Sequence, residues 1–164
     1  MAPADLLQPL EGQRAETLRL VESLTAGELD VVVRGDGRTV RQLLCHLVDR
    51  EHGINFAIGR ALEGHVLHLS QEDRERISQS EADPAPADWD LERIRVELVE
   101  AREGLRRTFL LMAEDDLDRA IRWPEWPART IRTSIPYMLE HEDSHVDELR
   151  AALRRDRPLR QASG

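Results

Sequence analysis

Six histidines and one cysteine are the residues of this chain best suited to bind a metal or to act as nucleophiles. Two of them, His141 and His145, stand four apart in the run His141-Glu142-Asp143-Ser144-His145. On a helix, residues so spaced leave the same face one turn apart, with Cβ atoms about 5–6 Å from each other. Imidazole nitrogens hold divalent first-row metals at about 2.0–2.1 Å, and two such rings can share one ion. Two ligands make a weak site, so a third must come from another element, and His46 is the candidate. The plain alternative is a solvated pair of surface histidines.

The same run matches the H-E-x-x-H pattern of zincin proteases. A charged Asp143 inside it, no later histidine and no sheet to hold a substrate strand argue against that reading. His65 and His68 lie in an irregular stretch and are expected to be solvated. Cys45 precedes His46 directly, points about 100° away from it on a helix, and is a poor co-ligand.

The elements that must position these residues follow from periodicity. Leu7, Leu10, Leu18, Val21 and Leu24 keep helical spacing and predict a first helix over 5–24. Val31-Val32-Val33 is strand-like but isolated, and Arg34-Gly35-Asp36-Gly37 reads as a turn. Thr39 and Gln42 form a capping box that starts a second helix, running to about Leu62 along a stripe of Val40, Leu43, Leu47, Ile54 and Ile58. His46 flanks that stripe, and Gly53 and Ala57 are expected to leave open volume beside it. A third helix over about 88–113 carries the seam Leu91, Ile94, Leu98, Ala101, Leu105, Phe109 and Met112. Between helices 2 and 3 lie about 25 residues, too many for a tight hairpin, with a short helix expected over 72–80. Such a crossover predicts that helices 2 and 3 run parallel. After a link carrying Trp123 and Trp126, expected to pack at the far end of the bundle, a fourth helix spans about 130–155. Pro136 must kink it or sit in its first turn.

With His141 at 0° on that fourth helix, Ile131, Ile135, Met138, Leu149 and Leu153 fall between about 60° and 120°, and His145 near 40°. Three histidines on the inner edges of two helices can meet across a bundle interface. Three protein ligands with an open position is the pattern of a catalytic rather than a structural zinc site. Glu142, near 100°, lies within the apolar stripe, so it must be paired, bound or protonated. Arg50 is its expected partner. In the functional reading, Glu142 is a base near a metal-bound water, or a group supporting a ligand.

Composition narrows the class. One domain over 1–164 is expected, with a core of about 5–155, a frayed start and a loose tail over 157–164. The hydrophobic fraction is 40% and the charged fraction 34%, suiting helices that bury one stripe each. A net charge of −9 argues against nucleic acid as a partner, although all 23 basic residues are arginine. The lone cysteine fits a reducing compartment, and no apolar run suggests a membrane span or a secretory signal. A cytoplasmic protein is expected.

The run Thr39 to Leu47, the long crossover, the third helix and a last helix carrying His141 and His145 together resemble the DinB/YfiT-like superfamily. The likeness extends over about residues 5–155. It implies an all-α four-helix bundle in up-down-down-up order, with a divalent metal, often zinc or nickel, on three histidines, here His46, His141 and His145. It also implies, for some members, transferases or isomerases that use a low-molecular-weight thiol of the mycothiol or bacillithiol type. Arg50 is the candidate contact for such a cofactor. Two classes of function stay open. One is a metal-dependent enzyme acting on a small molecule, by thiol transfer or by hydrolysis. The other is a non-catalytic binding or dimerisation module, a homodimer being one form, in which any metal is structural.

Overall fold

The computed structural model describes residues 2–35, 37–65, 88–121 and 129–162, with side chains described as far as residue 156. Four long helices dominate them: α1 (Leu7–Glu22), α2 (Val40–Leu62), α3 (Leu91–Leu111) and α4 (Ile131–Ala162). The expected short helix over 72–80, His68, Trp123 and Trp126 lie outside the described residues.

The ends of the helices follow local chemistry. Pro3–Leu6 forms a 3-10 turn that leads into α1. The Thr39–Gln42 capping box starts α2 as expected, the Thr39 hydroxyl accepting from the Gln42 amide and the Gln42 side chain accepting from the Thr39 amide. The Asp90 carboxylate accepts from the Arg93 amide and caps α3. The valine triplet makes no strand; only an isolated bridge joins Val32 to Thr39. A two-residue antiparallel pair, β1 (Ala120–Ile121) with β2 (Arg129–Thr130), leads into α4. Pro136 is exposed in the second turn of α4, and the helix continues through it. The tail expected to be loose continues that helix to Ala162.

Cross-helix pairs fix the directions. From α2 to α3 the partners are Arg41 with the Trp89 carbonyl, Glu51 with Arg102, and Asn55 with Thr108. Both members advance together, so the two helices are parallel. Leu10 meets Arg102 while Arg14 meets Leu98, so α1 and α3 are antiparallel. Gln13 meets Leu139 and Thr17 meets Glu142, so α1 and α4 are parallel. The order is therefore up-down-down-up.

The apolar core is split in two. One cluster holds Val40, Leu43, Leu44, Cys45, Leu47 and Val48 of α2, Ile94 and Leu98 of α3, and Leu149 and Leu153 of α4. The other holds Ile54 and Ile58 of α2, Leu105 and Phe109 of α3, and Ile131 and Ile135 of α4. Each helix passes from one cluster to the other at a polar position: Arg14 and Thr17, then Arg50 and Glu51, then Arg102, then His141 to His145. Among the described residues no helix is long and apolar enough to cross a membrane.

Candidate metal centre

His46 leaves α2 and His141 and His145 leave α4 toward one another. The His141 Nε2 atom lies 3.4 Å from that of His46 and 3.2 Å from that of His145. Tetrahedral ligands at about 2.0–2.1 Å from one ion stand about 3.3 Å apart, so these spacings fit a single metal. At the meeting point each neutral imidazole presents its Nε2 atom as either a donor or an acceptor, so the three rings cannot all satisfy one another there. The ligand atoms converge closely enough that the three could hold a metal ion. His145 is buried and the other two are half-buried.

Burial keeps these rings neutral. It is the main cause that pushes His46 down to about 3, helped by the charges of His145, Arg50, His141 and Arg38. His141 is pushed down to about 4 by burial first, then by His145, Arg50 and Arg34. His145 is lowered by burial as well, with Glu148 opposing. The neutral form is the one that binds metal.

Glu148 and Arg34 both approach the far side of His145. Its Nδ1 lies 3.5 Å from Glu148 and 3.2 Å from Arg34. Arg34 donates to both oxygens of Glu148, at 2.7 and 2.9 Å. An Nδ1–H directed at Glu148 leaves the Nε2 lone pair free for an ion. A lone pair accepting from Arg34 would place the proton on Nε2 and block ligation.

Glu142 corrects the sequence expectation. It is buried as foreseen, but its partners are not Arg50. Its carboxylate accepts from Arg102 at 3.0 Å, from the Thr17 hydroxyl at 2.6 Å and from Arg14 at 3.2 Å. Glu51 pairs with the same two arginines. One charged residue from each helix thus joins a buried four-member network. The helical wheel showed that Glu142 points inward but not which helices stand opposite; about 100° around from His141 it meets α1 and α3, not α2. A signal for the missed members was present. Arg14 is four residues after Leu10, Glu51 four after Leu47, and Arg102 four after Leu98, each a charge in register with an apolar stripe. Arg34 lies in a turn and left no such signal.

A small cleft, partly open to solvent, adjoins His141. Arg50, Leu47 and Ile54 of α2 line it, with Tyr137 and Met138 of α4, and the buried network forms part of its wall. Gly53 and Ala57 are not among its lining residues, so the open volume lies along a different line of α2 than expected. Arg129 stacks over the Tyr137 ring, 4.7 Å from its centre. His65 is exposed, and Cys45 is buried in the core with its thiol pushed up to about 12, chiefly by burial.

The model of the DinB superfamily matches residues 9–149, which reaches into all four helices of the bundle and includes all three histidines. This chain belongs to the DinB superfamily. Among solved structures, it is similar to YfiT from Bacillus subtilis, described as a probable metal-dependent hydrolase with an unusual four-helix bundle topology. The TM-score is 0.73 at 21% identity, covering 93% of this chain and 86% of that one. At that identity the likeness speaks for the DinB fold alone. No curated protein matches.

Proposed function

We propose that this DinB-superfamily protein is a metal-dependent enzyme of the cytoplasm. In this reading His46, His141 and His145 hold one divalent ion, zinc or nickel, and the cleft beside them receives a small-molecule substrate. The observation that carries it is the convergence of the three histidines, with the His141 Nε2 atom 3.4 Å from that of His46 and 3.2 Å from that of His145, beside a cleft that His141 lines. When bound, such an ion is a Lewis acid that lowers the pKa of a coordinated water to about 7 and ionises a coordinated thiol.

The surrounding residues favour thiol activation. Glu142 is taken up by Arg14, Arg102 and Thr17, so it does not serve as a base for water. Glu148 is engaged with His145 and Arg34. A thiol that ionises on binding needs no such base, which fits transfer of a low-molecular-weight thiol of the mycothiol or bacillithiol type to a small electrophile. A second reading, metal-dependent hydrolysis, is supported by the description of the YfiT structure.

The test is metal content after tag-free purification, followed by assays of the zinc- and nickel-loaded protein with small thiols and an aryl halide, and separately with activated esters. Near-stoichiometric metal and thiol-dependent turnover are expected. Ester cleavage without thiol dependence would favour hydrolysis, and no metal at all would leave the enzymatic reading without its chemistry.

A further inference from the structure

The three histidines come from two helices, so the rotation of α2 and of α4 about their own axes decides whether the rings meet. A side-chain tip stands about 5–6 Å from its helix axis, so a turn of about 10° moves it by about 1 Å. Metal–ligand distances tolerate only about 0.2 Å. An apolar core keeps its stability through small repacking and loses its single arrangement first. Hydrogen bonds between charged groups depend on distance and angle, and they resist such a turn. The buried network places bonds of that kind on both ligand-bearing helices at once. Glu142 of α4 is next to His141, and Glu51 of α2 is five residues beyond His46. Arg14 of α1 reaches both carboxylates, and so does Arg102 of α3. The two arginines are themselves braced across α1 and α3: Arg14 donates to the Leu98 carbonyl at 3.3 Å, and Arg102 to the Leu10 carbonyl. The Thr17 hydroxyl donates a further bond to Glu142 at 2.6 Å. All four charged side chains are almost wholly buried, where salt screens them little.

We infer that Arg14 and Arg102 are positioning residues of the metal centre. From helices that supply no ligand, they hold Glu51 and Glu142, and with them α2 and α4, at the rotation that brings His46 to His141 and His145. In this role four charges are buried for geometry, since apolar residues of similar volume would hold the helices as firmly. The inference rests on the enzymatic reading only in taking the triad to hold a metal.

The test replaces the four charges together in the full-length protein: Arg14→Met, Glu51→Met, Arg102→Met and Glu142→Met. No charge is then left unpaired, and the fold should be as stable as before, or more so. Competition with a chelator measures zinc affinity, and urea titration in metal-free buffer measures stability. Zinc should bind roughly 10–100-fold more weakly, as on loss of the groups that orient a ligand, although stability holds. Nuclear magnetic resonance of the metal-free proteins adds a measurement that needs no ion. The His46 ring centre lies 5.3 Å from that of His141 and 5.2 Å from that of His145, close enough for Overhauser contacts between ring protons. Those contacts should be present in the unaltered protein and weakened or lost in the fourfold variant. Arg102→Lys, which keeps the charge but not the planar fork, should move both measurements the same way, and it decides the matter if the fourfold variant does not fold. Arg106→Gln, which removes the exposed pair of Arg106 with Glu11 of α1, should change neither. Ring contacts absent from the unaltered protein, zinc affinity or ring contacts unchanged in a folded variant, or an affinity loss that only follows a loss of stability overturns the inference. Network-dependent ring contacts in a protein that never loads zinc would sink the enzymatic reading alone.

Discussion

Arg102 of α3 donates to Glu142 of α4 across 3.0 Å, with both side chains almost wholly buried. That contact ties the residue next to His141 to a helix that contributes nothing to the triad. Through Arg14 and Glu51 the same network reaches α1 and α2. It sits at the level where the two apolar clusters meet. Moving ions out of water costs about as much as their attraction returns, so the intact network adds little net stability, while the loss of one member is costly.

Removing one member leaves opposite charges buried without their counterpart. Glu142→Gln should lower unfolding free energy by about 3 kcal/mol, the lower end for breaking a buried pair from one side, since the amide can still accept from Thr17. Arg102→Gln should cost a similar amount, and the double variant less than the sum. Urea titrations in metal-free buffer measure all three. A change within about 0.5 kcal/mol, as expected of a surface substitution, would contradict the network.

His46→Ala, His141→Ala and His145→Ala should each abolish stoichiometric zinc or nickel, because two remaining imidazoles make a weak site. His52→Ala and His65→Ala, both exposed, should not. Elemental analysis of dialysed protein decides between them. Helical content should survive in every variant, since the leucine and isoleucine clusters do not depend on an ion.

Glu148→Gln should weaken metal binding roughly 10–100-fold without removing it, as loss of a carboxylate behind a histidine ligand does. The structural reason is the choice at His145 Nδ1 between Glu148 at 3.5 Å and Arg34 at 3.2 Å. With the carboxylate gone, the ring can accept from Arg34, and the proton moves to the nitrogen that must ligate. Competition against a chelator of known affinity gives the shift. Unchanged affinity would mean that Glu148 does not set the tautomer.

The metal-free protein should lose stability as the pH falls below about 6.5. His46 and His141 have folded values of about 3 and 4 against an ordinary 6.5. Between those limits the unfolded chain binds more protons than the folded one, so unfolding stability rises with pH and declines on acidification. Above pH 7 neither state is protonated at these rings, and they contribute no slope. The melting temperature of metal-free protein, followed from pH 7.5 to 4.5 with chelator present, should fall more steeply than that of His46→Ala. Parallel curves would show that the buried histidines carry none of the dependence. Metal loading should persist below pH 6, lower than solvated histidines would allow.

Much of the architecture could be read from periodicity. The Thr39–Gln42 box, the stripes of α2 and α3 and the length of the link between them suffice to predict four helices with α2 parallel to α3. These are local or chain-length properties: a cap involves four consecutive residues, a stripe follows from 3.6 residues per turn, and a crossover from how far a chain can reach. The grouping of His46, His141 and His145 was legible for the same reason, since each flanks a buried stripe and only two helices were involved. What the sequence could not determine was the neighbour of each inward face. Glu142 was expected to meet Arg50 because both point inward, yet it meets Arg14 and Arg102, because the rotation of α4 about its axis is settled by packing against α1 and α3. The roles of Arg34 and Glu148 behind His145 likewise exist only once a turn before α2 is folded against the last helix. Periodicity says which way a side chain points from its own axis; only the assembled bundle says what stands there to receive it.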